Sequence, residues 1–121
     1  MSCRQVDING ETYIRADLAS AAEDTDGRPY VIVRCRDAGV HAGYLVRKDE
    51  ANGIAELTRS RRLWRWHGRT LTGLAIEGTD DPNRCKFGDP IDNTLRGWVE
   101  IMPCSERARE SLQSVETWKN D

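Results

Sequence analysis

The sequence contains one phenylalanine, two histidines and four prolines, and none of its four cysteines forms a Cys-x-x-Cys pair. Cys3, Cys35, Cys85 and Cys104, with His41 and His67, are too scattered for the close ligand spacings of a structural zinc site. No run approaches the ~20 consecutive apolar residues that a membrane span needs. Residues 1–5 carry no apolar signal-peptide core, so four free thiols in a reducing cytoplasm are expected. There is no G-x-S-x-G, P-loop, G-x-G-x-x-G or H-E-x-x-H motif. An excess of positive charge is missing too. Lys and Arg number 18 against 20 Asp and Glu, for a net charge of −2, whereas a domain that binds polyanions as a whole is strongly basic.

These absences leave one domain of 121 residues with no metal, no cofactor and no positive argument for an enzyme. The nearest approaches to catalysis are Cys85, whose neighbours Arg84 and Lys86 would lower a thiol pKa, and the pair Asp80-Asp81. Asp-Asp-Pro reads first as a turn.

Along the chain, Asn9-Gly10 between short apolar runs predicts a hairpin over residues 4–18. Asp17 is placed to cap a helical turn, and residues 23–28 are acidic and contain Gly27. Residues 1–28 therefore read as an N-terminal hairpin and linker, and residues 29–121 as the main domain. Residues 30–36 and 40–48 alternate as strands, with Gly43 marking a bulge or a close backbone approach. A third strand is expected over residues 54–58 and a fourth over the stretch that follows, completing an antiparallel meander. Residues 70–77 take a helical period, with Thr70 as N-cap and Gly78 just past the end. Residues 79–90 read as a loop and residues 95–102 as a last strand. Ser105 caps a helix with Ala108, Leu112 and Val115 on one stripe and Trp118 just beyond. The fold class is α+β: a mainly antiparallel, curved sheet or small barrel of five to six strands, with two short helices, the second at the C-terminus.

What the chain has in one place is arginine and tryptophan. Residues 59–69 hold five arginines, two of the four tryptophans and one of the two histidines. As an alternating strand, this stretch puts Arg62, Trp64 and Trp66 on one face and Arg61, Leu63, Arg65 and His67 on the other. An indole stacks on a planar base, and a guanidinium grips phosphate with two parallel hydrogen bonds. Two or three cations and one or two aromatic walls suit a small phosphorylated nucleotide, and a site of that size is compatible with a near-neutral protein. The recognising face is expected to be Arg62, Trp64, Trp66 and Arg69, with Arg61, Arg65, Lys86 and Phe87 in second place. Residues 84–87 are the expected lid. The ordinary alternative makes Trp64 and Trp66 core residues of a half-buried strand.

The runs Tyr30-Val31-Ile32-Val33-Arg34, Ala38-Gly39-Val40-His41-Ala42-Gly43-Tyr44-Leu45 and Ser60-Arg61-Arg62-Leu63-Trp64-Arg65-Trp66-His67-Gly68 resemble a small family of uncharacterised phage and prophage proteins. Leu74-Ala75-Ile76-Glu77-Gly78-Thr79, Cys85-Lys86-Phe87 and Ile101-Met102-Pro103-Cys104 extend the likeness over about residues 29–118. Arg65 stands where that family usually has a further aromatic. By architecture alone the chain is also similar to phage sponge proteins that sequester nucleotide signals of host immunity. The resemblance implies a phage-encoded counter-defence protein in the host cytoplasm, holding a small cyclic nucleotide. An inhibitor that binds a host defence protein, a single-stranded nucleic-acid binder and an enzyme acting on a nucleotide are the alternatives. A homo-oligomer is expected, because four tryptophans on a short chain leave aromatic surface to cover.

Overall fold

The computed structural model describes residues 21–67 and 70–119; the expected hairpin over residues 4–18, the Asp17 cap and Cys3 lie outside them. β1 (Tyr30–Cys35) turns through Gly39 into β2 (Val40–Asp49), which returns through Gly53 as β3 (Ile54–Arg65). Then come α1 (Leu71–Glu77), a 3-10 turn (Pro82–Arg84), β4 (Lys86–Phe87), β5 (Ile91–Arg96), β6 (Trp98–Pro103) and α2 (Glu106–Ser114). Every ladder is antiparallel. The six strands run in the order β4–β3–β2–β1–β6, and β5 pairs with β3 alongside β4. The expected α+β class is what the chain forms, and the six-stranded sheet does not close into a barrel.

Two strand boundaries differ from the expectation. The third and fourth expected strands are one twelve-residue strand, β3, which continues through a bulge at Arg59. The expected last strand is two, β5 and β6, separated by Gly97 at a φ of 74°. A Cβ is strained at that φ, which is why a glycine makes the break. The Gly97 N–H donates to the Gly53 carbonyl at 2.8 Å, and its carbonyl accepts from the Arg36 N–H at 3.0 Å. The chain thereby leaves the β3 edge and joins the β1 edge, where Ile32 faces Met102.

Both faces of the sheet are buried. Val31, Val33, Cys35, Leu45, Ala55, Leu57 and Leu95 pack on one, with Trp98 and Ile101 against them. On the other, Tyr30, Ile32, Ala42, Leu63 and Phe87 meet Leu74 and Ala75 of α1 and Ala108 and Leu112 of α2. Each large side chain so buried is worth about 1.5–3 kcal/mol. Cys104, fully buried here, has its thiol pushed up to about 12 by burial.

At seven residues α1 is too short to persist alone, and its ends show what holds it. The Thr70 hydroxyl accepts from the Gly73 N–H at 3.0 Å. At the other end Ser105, the N-cap of α2, donates its N–H to the Ala75 carbonyl and its hydroxyl to that of Ile76. The same hydroxyl accepts from the Ala108 N–H at 3.0 Å, so one serine closes both helices.

Two flanking segments dock on this body. Residues 23–28, read from sequence as a linker or exposed loop, form a turn in which Asp24 Oδ1 accepts from the N–H groups of Asp26 and Arg28. The turn is tied down by the Ala22 N–H on the Cys104 carbonyl and by the Tyr30 N–H on the Ala22 carbonyl. After α2, Thr117 lies beside Phe87, and the Trp118 N–H donates to the Phe87 carbonyl at 2.9 Å.

Candidate ligand-binding surface

The Arg/Trp stretch forms the second half of β3, and two local features decide which side chains it presents. His41 and Ala42 of β2 pair with Arg62 and Arg61, so plain alternation sends Arg61 and Leu63 inward and Arg62 outward. Then Leu63 faces Phe87 and Arg65 faces Lys86, two residues of β3 against one step of β4. This bulge breaks the period. Trp64 and Arg65 are both exposed, and Trp66, half-buried, packs against the core. The expectation that Trp64 and Trp66 share a face fails at the bulge.

Arg61 and Phe87 are interior residues, which corrects their place among the expected ligand contacts. Arg61 is 4% exposed; its Nε donates to the Gly88 carbonyl at 2.8 Å and its Nη1 to the Leu112 carbonyl at 3.0 Å. Its guanidinium carbon lies 5.4 Å from the Phe87 ring centroid. Leu112 supplies one of the last-turn carbonyls of α2 that a helix leaves without partners, so Arg61 caps α2 from the sheet. Burial pushes its pKa below the usual arginine value. The expected lid over residues 84–87 is likewise structural: Lys86 and Phe87 are paired to β3 as β4. Arg69 lies outside the described residues.

Arg62, Trp64, Arg65 and Lys86 remain at the surface, and the structure adds Trp118. Trp64 is 54% exposed and Trp118 38%. Their rings meet edge to face, with centroids 5.6 Å apart and planes at 65°. Lys86 Nζ sits 4.7 Å from the Trp118 centroid, a cation–π contact. Trp64 lies over Gly88: a Cβ built there would come within 3.4 Å of the ring. Nothing in the sequence around Trp118 marks it; it reaches the surface because residues after α2 run beside β4.

Arg62 is held by its guanidinium. Its Nη1 donates to the Ala38 carbonyl at 2.9 Å, and the same oxygen lies 2.8 Å from His41 Nε2. A carbonyl can only accept, so His41 carries its proton on Nε2. Its Nδ1 is buried with no partner among the described residues. Burial, with the charge of Arg62, holds the His41 pKa below 6.5 against the opposing pull of the Ala38 carbonyl.

The second histidine stands in a separate polar group. Arg84 Nη1 donates to His67 Nε2 at 3.1 Å, which leaves the proton on Nδ1, 3.4 Å from Asp80 Oδ1. Asp81 does other work: its Oδ1 accepts from the Asn83 N–H and caps the 3-10 turn. The two carboxylates are thus divided, Asp81 capping the turn and Asp80 facing His67. The Cys85 sulfur is buried against the Thr79 hydroxyl at 3.3 Å. Among the described residues no three His, Cys, Asp or Glu side chains are grouped to hold a metal. No helix among them is long and apolar enough to cross a membrane. Two hollows in the described surface, of about 370 and 460 Å³, are lined by other residues than the tryptophan surface.

The molecule is thus an α+β domain with an open antiparallel sheet and an aromatic, cationic surface along the β3–β4 edge. It belongs to the family described as Domain of unknown function (DUF6948), which it matches over residues 28–112. The matched span contains Arg62, Trp64, Arg65 and Lys86 and stops short of Trp118. No curated protein and no solved structure matches the chain.

Proposed function

We propose that the protein is a non-enzymatic binding protein that takes a small phosphorylated nucleotide on the Trp64 surface. The observation that carries the reading is a tryptophan left 54% exposed among Arg62, Arg65 and Lys86. A base stacks on the open face of Trp64, and the cations beside it meet the phosphates. One wall of this kind binds weakly, and a second copy of the chain facing the first would supply the other wall, which is the sense of the expected homo-oligomer. The resemblance to short phage proteins supports the biological setting: sequestration of a cyclic nucleotide signal so that a host defence effector cannot sense it.

The test is tryptophan fluorescence with a panel of cyclic di- and trinucleotides and ADP-ribose cyclisation products, alongside mass spectrometry of whatever the purified protein releases on denaturation. Saturable quenching by one nucleotide is expected, with affinity reduced roughly 5- to 150-fold in Trp64→Ala, the range that one lost base–aromatic stack of about 1–3 kcal/mol implies. Trp64→Ala should fold normally, because the ring is largely in solvent. Absence of any nucleotide response removes the reading.

The open shape of this surface favours a second one. An aromatic patch that lies outside both hollows also suits a protein partner, with Trp64 and Trp118 as anchors and Arg62 and Arg65 beside them. A host protein captured by the wild type and lost with Trp64→Ala, in the absence of nucleotide binding, would select it.

A further inference from the structure

A bulge in β3 places a second arginine where neither the tryptophan surface nor the core uses it. Arg59 has a φ of 50°, the one residue other than glycine with a positive φ among the described residues. A residue with a Cβ in that region carries strain that persists only where neighbours impose it. Here Asp92 imposes it, accepting from the Thr58 hydroxyl at 2.6 Å and from the Arg59 N–H at 3.3 Å. The result throws the Arg59 guanidinium across the sheet, 4.3 Å from the centroid of the Tyr44 ring. It lines a hollow of about 460 Å³ between the turn at residues 23–25, Tyr44 and the α2 residues Arg109 and Gln113.

The hydrogen-bond inventory of the hollow leaves donors over. Asp24 is used: Oδ1 accepts two backbone N–H groups and Oδ2 accepts from Arg59 Nη2 at 2.7 Å. Arg109 is used by the Glu23 carbonyl and the Glu106 carboxylate. The Tyr44 oxygen accepts from Gln113 Nε2 at 3.0 Å and from Arg109 Nη1 at 3.5 Å, which occupies both lone pairs and leaves its own proton to donate. The remaining N–H groups of Arg59 have no acceptor among the described residues. A hydroxyl proton and the free N–H groups of a guanidinium stacked on the same tyrosine ring, beyond the one that Asp24 takes, suit an anionic oxygen. We propose that this hollow is a ligand site, distinct from the tryptophan surface, for a small molecule bearing a carboxylate or phosphate group, with Arg59 and Tyr44 as its recognising pair.

The experiment is a heteronuclear NMR titration of the full chain, following Arg59 Nε and the tyrosine ring signals, with inorganic phosphate in one arm and acetate in the other. Saturable shifts in the millimolar range are expected with at least one anion, and the stronger arm names the group. Arg59→Ala and Tyr44→Phe, each checked for an unchanged folded spectrum, should both abolish saturation. Trp64→Ala should leave it unchanged, which separates this site from the nucleotide surface. The proposal is overturned if neither anion saturates, or if the response survives either substitution at Arg59 or Tyr44.

Discussion

Replacing Arg61 separates a structural arginine from a ligand-binding one. Its two bonds, to the Gly88 and Leu112 carbonyls, are made by a charged donor in a buried place. Bonds of that kind contribute about 1.5–3 kcal/mol each. Against this stands the cost of burying a guanidinium that has no carboxylate within ion-pair distance among the described residues, a cost that methionine removes. Arg61→Met keeps the stem's packing on Phe87 but strands both carbonyls, at about 1–3 kcal/mol apiece. The net expectation is a loss of about 2–4 kcal/mol. For a domain of this size that corresponds to a fall in Tm of roughly 10 °C or more. Arg61→Lys should fall between wild type and Met, because one ammonium cannot present the fork that reaches both carbonyls. Arg62→Ala, the next residue along the same strand but exposed, is the control and should cost under about 1 kcal/mol. Urea and thermal unfolding followed by circular dichroism give the comparison. If Arg61→Met melts within about 2 °C of wild type, the clamp between β3, β4 and α2 carries no weight.

Three further perturbations probe the same region. Gly43→Ala should cost roughly 1–3 kcal/mol by denaturant unfolding, because the new Cβ would lie 2.7 Å from the Ser60 Cα and backbone must move to admit it. Ser60→Ala should be neutral or slightly stabilising, since the Ser60 hydroxyl is buried with no hydrogen-bond partner among the described residues, so its removal strands none of them. Unfolding measured against pH should reveal His41: its folded pKa lies below the unfolded value of 6.5, so between those two values the unfolded chain binds more protons. Stability is therefore full above pH 6.5, falls as the pH drops from there toward the folded pKa, and does not recover below it. His41→Gln should flatten that segment of the curve, while the loss due to Asp92, whose carboxylate the Thr58 hydroxyl and Arg59 N–H hold below 3.8, remains at more acid pH.

Much of the fold was legible because alternation and capping are local. Val31 and Val33 against Tyr30 and Ile32 announced a strand with two apolar faces, and both are buried. Thr70 and Ser105 announced two helix starts, and both hydroxyls accept the expected N–H. Gly43 announced a close backbone approach, and Ser60 is there. The failures cluster where β3 changes register. Arg59 carries a positive φ that sequence rules assign to glycine or asparagine, so a single bulged strand was read as two. The bulge after Leu63 turned one expected face into another, exposing Trp64 and Arg65 and tucking Trp66 against the core.

A bulge needs a partner strand, and β4 and β5 are contributed from more than twenty residues further along the chain. The site residues that sequence reasoning missed follow from this non-local cause. Trp118 reaches Trp64 only because the chain after α2 runs beside β4, and Arg59 reaches Tyr44 only because Asp92 of β5 holds the bulge open. The irregularities of β3 both defeat the two-residue period and select which of its arginines face solvent, which is why the functional candidates lie where the pattern failed.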